Sequence, residues 1–286
     1  MTGEPELDDL LIVGGLTIDR FADDRLESGG SVLHASRAAQ RAGLKVSVIT
    51  LAGPEPVASE GVAELRAITH RLEVVDAHET ILFRHRESSG GRRLWLERPG
   101  GSISMSSELV DSVRTDAVLF APVAAELHPA ALHTWDHTWR RGAILQGWLR
   151  SAGDDGSVSP IAPNELPDGL VAALASLDVL IASREDLLAA ADAPDHQVRA
   201  LRQRVGGGPT LIVTDGPEGV WIDGENGAPR HLPAPWRVDG VPMVGAGDAF
   251  AALLLTRLRW SATRSELDAA AEMAMREVAE LLDARR

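Results

Sequence analysis

Short apolar runs alternate along this chain with segments whose apolar positions recur every three to four residues, the periodicities of buried strands and amphipathic helices. Leu10 to Val13 (LLIV) predicts a strand stopped by Gly14 and Gly15. Ser31 to Ala42 has helical spacing and ends at Gly43, and Lys45 to Leu51 predicts the next strand. A helix over Val62 to Arg71 then leads to a strand at Leu72 to Val75. This alternation predicts an α/β fold, a doubly wound and mostly parallel sheet flanked by helices.

The middle departs from it. Thr80 to His85 and Arg93 to Leu96 flank Ser88-Ser89-Gly90-Gly91, a hairpin signal that predicts a lid or edge flap. Its arginines (Arg84, Arg86, Arg92, Arg93) are equally well explained as solvating an edge strand. Alternation then resumes, with strands predicted at Ala117 to Phe120, Ala143 to Leu145, Val179 to Ile181 and Thr210 to Val213. Helices are predicted at Pro129 to Arg140, Leu170 to Ser176, Arg184 to Ala191 and His196 to Val205. A turn at Gly216 to Gly219 precedes a strand at Val220 to Ile222. Gly245-Ala246-Gly247-Asp248 enters a helix over Ala249 to Leu258, and a last helix spans Arg264 to Leu282. The stretch from Ser151 to Asp168 reads as a loop rather than a boundary, so residues 1–286 are expected to form one domain.

Composition narrows the chemistry. At 286 residues, 44% apolar and 24% charged, the chain can bury a sizeable core. A net charge of −14 argues against general nucleic-acid binding. The absence of Cys removes disulfides, thiolate metal sites and cysteine nucleophiles. Lys45 is the sole lysine, there is no P-loop, and a coding bias explains arginine over lysine. With neither a basic–apolar leader nor an apolar run of about 18 residues, a cytoplasmic protein without membrane contact is expected. His133 and His137 stand at i, i+4 but lack a third ligand, so a Trp-rich helix face is the better reading. Gly206-Gly207-Gly208 precedes a strand and reads as a helix stop, not a dinucleotide fingerprint.

The strongest chemical signal is VGAGDAFAALLL, residues 244–255. Small residues at Gly245, Ala246 and Gly247 allow a tight turn into an apolar helix, whose first N–H groups lack intrahelical partners and can hold an anion. Asp248 in that turn is placed to take a proton from a hydroxyl approaching the anion. Taken alone, an Asp at a helix start is usually a cap.

Other motifs alter that weighting. Gly245, Ala246, Gly247, Asp248 and Phe250 resemble the second signature of the ribokinase-like (PfkB-type) carbohydrate kinases, D-x-T-G-A-G-D-x-F. Gly29-Gly30 opening the helix that ends at Ala42-Gly43 resembles the first. Thr17 and Asp19 follow the first strand, where the family holds an Asp on substrate hydroxyls. The hairpin at 80–96 is similar to the family's lid, Ala121-Pro122-Val123 to its G-P-[LV] element, and Thr214-Asp215-Gly216-Pro217-Glu218-Gly219 to its nucleotide loop. The resemblance runs from about residue 10 to residue 275, every element in family order.

The resemblance implies a ribokinase-like fold with a small β lid from about 15–28 and 80–98. It implies an enzyme moving the γ-phosphoryl group of ATP, with Mg²⁺, to a hydroxyl of a sugar, cyclitol or nucleoside. Asp248 would be the general base, and the amides of Gly245 to Asp248 the anion hole. Asp19 would hold hydroxyls, with Gly29 and Gly30 letting backbone approach the substrate ring. Thr214, Gly216 and Gly219 would hold the nucleotide. A homodimer through the lid is suggested, although the short hairpin leaves a monomer equally open.

Several positions depart from the pattern. His34 stands where the family has Asn, so ribose or fructose is not assumed as substrate. Gln146 and Arg150, in QGWLR after a predicted strand, face either the pocket or solvent. Ser183-Arg184-Glu185-Asp186 replaces N-x-x-E, making Glu185 or Asp186 the Mg²⁺ candidate, though a helix cap explains it equally. Pro242-Met243-Val244 replaces D-x-T, so a monovalent-cation site built on that Asp is expected to be absent or altered. These departures keep open a catalytically lapsed binding or regulatory protein. The intact GAGD weighs against it, since a pure binder needs no base at an anion hole.

Overall fold

The computed structural model describes residues 7–88, 91–135, 140–187, 194–223, 228–238, 240–258 and 263–285. The chain opens with β1 (Leu10–Gly15), β2 (Thr17–Arg20), β3 (Leu26–Gly29) and α1 (Ser31–Arg41). There follow β4 (Val46–Ala52), α2 (Pro56–Ile68), β5 (Arg71–Asp76), β6 (Ile81–Ser88), β7 (Gly91–Arg98), α3 (Ser107–Asp111) and β8 (Ala117–Phe120). The second half holds β9 (Arg140–Ile144), β10 (Arg150–Ala152), β11 (Val158–Pro160), α4 (Asp168–Leu174), β12 (Val179–Ser183) and α5 (Pro194–Val205). It closes with β13 (Thr210–Thr214), β14 (Gly219–Asp223), β15 (Arg230–Pro233), α6 (Ala246–Arg257) and α7 (Arg264–Asp283).

Nine strands make the main sheet, ordered β15-β14-β13-β12-β9-β8-β1-β4-β5. The seven from β13 to β5 are parallel, while β14 and β15 add antiparallel edges. Strands buried on both faces read as continuous apolar runs, and β1 shows why. Leu10 and Ile12 enter one core together with α1 and α6, whereas Leu11 and Val13 enter the opposite core with α4 and α5. From β1 the chain moves outward to β4 and β5, then returns to β8 on the other side. That reversal opens a crevice at the carboxyl ends of β1 and β8, the place where open α/β sheets bind ligands.

A second sheet, ordered β3-β2-β6-β7, stands over that crevice. The predicted hairpin is its β6–β7 pair; Ser89 and Gly90 of the turn lie outside the described residues. Strands β2 and β3 lie where the family resemblance implied the first part of the lid, about 15–28; four-residue strands joined by the polar stretch FADDR carry too little apolar pattern to be read from periodicity alone.

Three predicted helices are corrected. Residues 129–133 form a single 3-10 turn instead of a helix reaching Arg140, and Arg140 already belongs to β9. There its guanidinium donates to the carbonyls of Thr256 (3.0 Å) and Leu258, closing the carboxyl end of α6. His133 is therefore not on a helix with His137, which lies outside the described residues. The helix predicted from Arg184 is a 3-10 turn at Arg184–Asp186, with residues 188–193 outside the described set. The helix predicted at 62–71 runs instead over Pro56–Ile68, with Pro56 in its first turn.

Candidate active site

A cleft of about 1000 Å³ lies at the carboxyl ends of β1, β8, β9, β12 and β13, between the small sheet and α6. Helix α6 supplies its floor. Residues Ala249 to Leu255 are all buried, which accounts for a helix apolar on every side. Gly245 caps it in the left-handed conformation (φ 79°), and helical geometry begins at Ala246. Asp248 is thus inside the first turn of a helix that begins three residues before the predicted start at Ala249. The Ala246 N–H donates to the Met243 carbonyl (3.1 Å) and is not available to an anion. Those of Gly245, Gly247 and Asp248 meet no acceptor among the described residues. Of the four amides expected to hold an anion, three are thus without an acceptor among the described residues.

Around this turn the side chains are packed closely. Burial pushes the Asp248 carboxyl above its ordinary pKa, opposed by the His34 charge, the Ser31 hydroxyl and Arg150. Ser31 Oγ is buried and lines the cleft; its hydroxyl acts on the Asp248 carboxyl, although it falls short of full hydrogen-bond geometry with any described residue. Burial likewise pushes the His34 imidazole below its ordinary pKa, with the nearby Asp248 charge opposing it. His34 packs against Gly245, and a Cβ there would collide with it.

On the opposite wall, Asp19 Oδ1 accepts from His85 Nε2 (2.9 Å) and Thr17 Oγ1 (3.4 Å). His85 is buried and stacks on Phe21, with ring centroids 5.3 Å apart. Thr17, Asp19 and Gly30 line the cleft together with His34 and Asp248. Gly29 does not. A Cβ at 29 would strike the Asp19 carboxylate, so this glycine makes room for a protein side chain rather than for a substrate ring. Gly30 (φ 96°) allows close approach to the Gly15 carbonyl and the Thr17 amide. Glu126, buried behind them, accepts from the amides of Gly15 (2.6 Å), Val123 (3.1 Å) and Ala124 (2.8 Å), tying the end of β1 to the loop after β8.

Gln146 and Arg150 both line the cleft, and Gly147 between them packs on the backbone of Pro122. Arg150 donates through Nε (2.9 Å) and Nη2 (2.7 Å) to Oδ1 of Asp186, which is 3% exposed. Thr214, Gly216 and Gly219 line the far end, where Gly219 (φ 115°) passes under the Leu232 carbonyl. Beyond them the cleft continues along Trp236, Val238, Met275 and Ala279. The Trp236 indole donates to Asp283 (3.0 Å), which holds this wall against the end of α7.

The sequence profile of the pfkB family carbohydrate kinases matches residues 15–276. The chain belongs to that family. Its members are phosphotransferases acting on a sugar hydroxyl. No curated protein matches in sequence. Among solved structures, a pyrophosphate-dependent kinase in the ribokinase family, complexed with a pyrophosphate analog and myo-inositol, superimposes with a TM-score of 0.73 at 16% identity, covering 96% of this chain and 94% of that one. A fructokinase double mutant from Vibrio cholerae O395, in fructose-, ADP- and potassium-bound form, gives 0.70 at 16% identity over 96% and 91%. Arabidopsis thaliana ribokinase with ribose and ATP gives 0.66 at 14% over 97% and 99%. The fold of this pfkB-family chain is ribokinase-like.

Within that fold, the two acidic candidates for Mg²⁺ separate. Asp186 is already neutralised by Arg150 and does not fit a metal ligand. Glu185 is exposed, lines the cleft and fits an ion held chiefly by water and phosphate oxygens. Among the described residues no three acidic or histidine side chains converge as a metal cage. Two cleft residues escaped the sequence reading. Ser31 directly follows the Gly-Gly pair at the start of α1. His85 shares the inward face of β6 with Ile81 and Phe83, and a histidine at such a position was the available signal.

Proposed function

We propose that this protein transfers the γ-phosphoryl group of ATP to a hydroxyl of a small polyol, a sugar, cyclitol or nucleoside. One observation carries the reading: the Asp248 carboxylate and three acceptor-free amides of one helical turn face the same cleft as the Asp19–His85 pair. Phosphoryl transfer needs chiefly positioning and charge stabilisation, which this small set can supply. Asp19, with one oxygen tied to His85, accepts from substrate hydroxyls. His34 and Ser31 offer further donors and acceptors beside the reacting hydroxyl, and Gln146 lines the same side.

Asp248 takes the hydroxyl proton late in a loose transition state, as a positioned carboxylate can. The amides of Gly245, Gly247 and Asp248 receive the charge of the transferring group. Mg²⁺, held at Glu185 through water, would offset charge on the donor's phosphates. The apolar wall at Trp236, Val238, Met275 and Ala279 beyond Thr214 and Gly216 suits an adenine ring, and about 1000 Å³ accommodates a polyol with a nucleotide. The small sheet acts as a lid that excludes water.

A pyrophosphate donor is the second reading, favoured by the likeness to the pyrophosphate-dependent kinase bound to myo-inositol. Incubating the protein with each polyol and either ATP or pyrophosphate, then following ADP or phosphate release, tests both. ADP released in step with phosphorylated polyol supports the first; release from pyrophosphate alone supports the second. Binding of a polyol without turnover on either donor favours the lapsed protein.

A further inference from the structure

Two residues beyond the end of α7, the Arg285 side chain turns back over the segment that leads into α6. Its Nη1 donates to the carbonyl oxygens of Pro242 and Val244, 3.0 Å from each. The backbone there is held on both sides. The Arg285 N–H donates to the Leu282 carbonyl (3.0 Å), and Asp283 accepts from the Trp236 indole (3.0 Å).

The consequence for the cleft follows from peptide planarity. In a trans peptide the C=O and the N–H of one unit point in opposite directions. The Val244 carbonyl and the Gly245 N–H belong to one unit. A cation fixed on that carbonyl from behind therefore turns the Gly245 amide toward the cleft, where it joins the acceptor-free amides of Gly247 and Asp248. The guanidinium is suited to this, being permanently charged and able to span two oxygens. Burial first, then the charges of Arg41 and Arg37, push Arg285 below its ordinary pKa. The back of the turn is thus already positive, and a free alkali cation would be repelled from it.

We propose that Arg285 is a positioning residue, a cation supplied by the chain itself, which orients the 242–245 segment so that turnover needs no added monovalent cation. The proposal rests on the kinase reading above. Arg285 acts through the backbone and touches no reacting atom. It also gives a physical reason for Pro242 and Val244 in place of Asp and Thr: with a tethered cation bound to main-chain oxygens, no acidic side chain is needed there.

The test compares wild type with Arg285→Ala and Arg285→Gln in buffers whose only monovalent cation is K⁺, Na⁺ or tetramethylammonium. ADP release is one readout, and calorimetric binding of pyrophosphate as a probe anion is the other. The wild type should show rates and affinities equal within about twofold in all three buffers, while both variants lose at least about tenfold in kcat with polyol KM little changed. K⁺ or a low concentration of guanidinium should restore much of the loss. A merely structural hydrogen bond would be kept by Gln and would not respond to cations. Activation of the wild type by K⁺, a variant equal to wild type, or a folded variant that no cation rescues would each overturn the proposal. Should Arg285→Ala fail to fold, Arg285→Gln and the wild-type cation profile decide by the same criteria. A wild type that never turns over, yet binds pyrophosphate equally in all three buffers and needs K⁺ once Arg285 is Gln, would sink the kinase reading and leave this assignment standing.

Discussion

Asp248 illustrates how one residue answers two demands. As the proposed base it must be ionised, yet burial raises its pKa, so the acidic limb of the pH–rate profile should lie above the ordinary carboxylate range of about 4. The same shift bears on stability. A carboxyl whose folded pKa is raised leaves the folded state holding more protons than the unfolded chain, so stability falls as pH rises through the folded value. Asp248→Asn should therefore melt higher than wild type at pH 7 to 8, the difference closing near pH 4, while turnover falls by about 10²–10⁴. Thermal melts across pH, run beside ADP assays, check both halves. His85→Ala removes a buried hydrogen bond to Asp19 and should raise the polyol KM by about tenfold or more, with kcat less affected, as steady-state kinetics would read. Asp248 was legible in the sequence because its neighbours form a contiguous motif. His85 was not, because its partner Asp19 lies 66 positions away, on a strand too short to show a pattern.

At the level of elements, the parallel strands were readable and their ends were not. Continuous apolar runs reveal β1, β4, β8 and β12 because each is covered on both faces. The segment from Pro129 to Arg140 misled because its apolar spacing serves burial of Leu132 and Trp135 in a turn, and Trp135 takes a left-handed conformation (φ 54°) that no spacing rule anticipates. The glycines before α1 were expected to face a substrate, and one of them faces Asp19 instead. Gly29→Ala should accordingly destabilise by about 1–3 kcal/mol through overpacking, measured by urea unfolding, and should weaken polyol binding by displacing the carboxylate. Glu126 joins two elements in the same way. Its replacement by Ala leaves the amides of Gly15, Val123 and Ala124 without their acceptor, and should cost about 1–3 kcal/mol or more by the same measurement.

The whole molecule places an anionic reaction in a chain of net charge −14. Local donors must therefore overcome the global sign, and the cleft offers the three amides of the α6 turn and Arg93, while Arg150 and Arg184 on its walls are paired with Asp186 and Asp215. Among the described residues no helix is long and apolar enough to cross a membrane. If the far end of the cleft receives adenine, Trp236 will report it. ATP should change the intrinsic fluorescence of the wild type and leave that of Trp236→Phe nearly unchanged, whereas pyrophosphate should change the signal of neither protein.

In the proposed reaction Asp248, the amides of its own turn and Asp19 act together on one hydroxyl. The most direct measurement is single-turnover transfer from ATP to a polyol that calorimetry shows to bind both wild type and Asp248→Asn. Stoichiometric phosphorylated product and ADP are expected from the wild type, and undiminished polyol affinity with a transfer rate lower by about 10²–10⁴ from the variant. Equal transfer rates in the two proteins would contradict it.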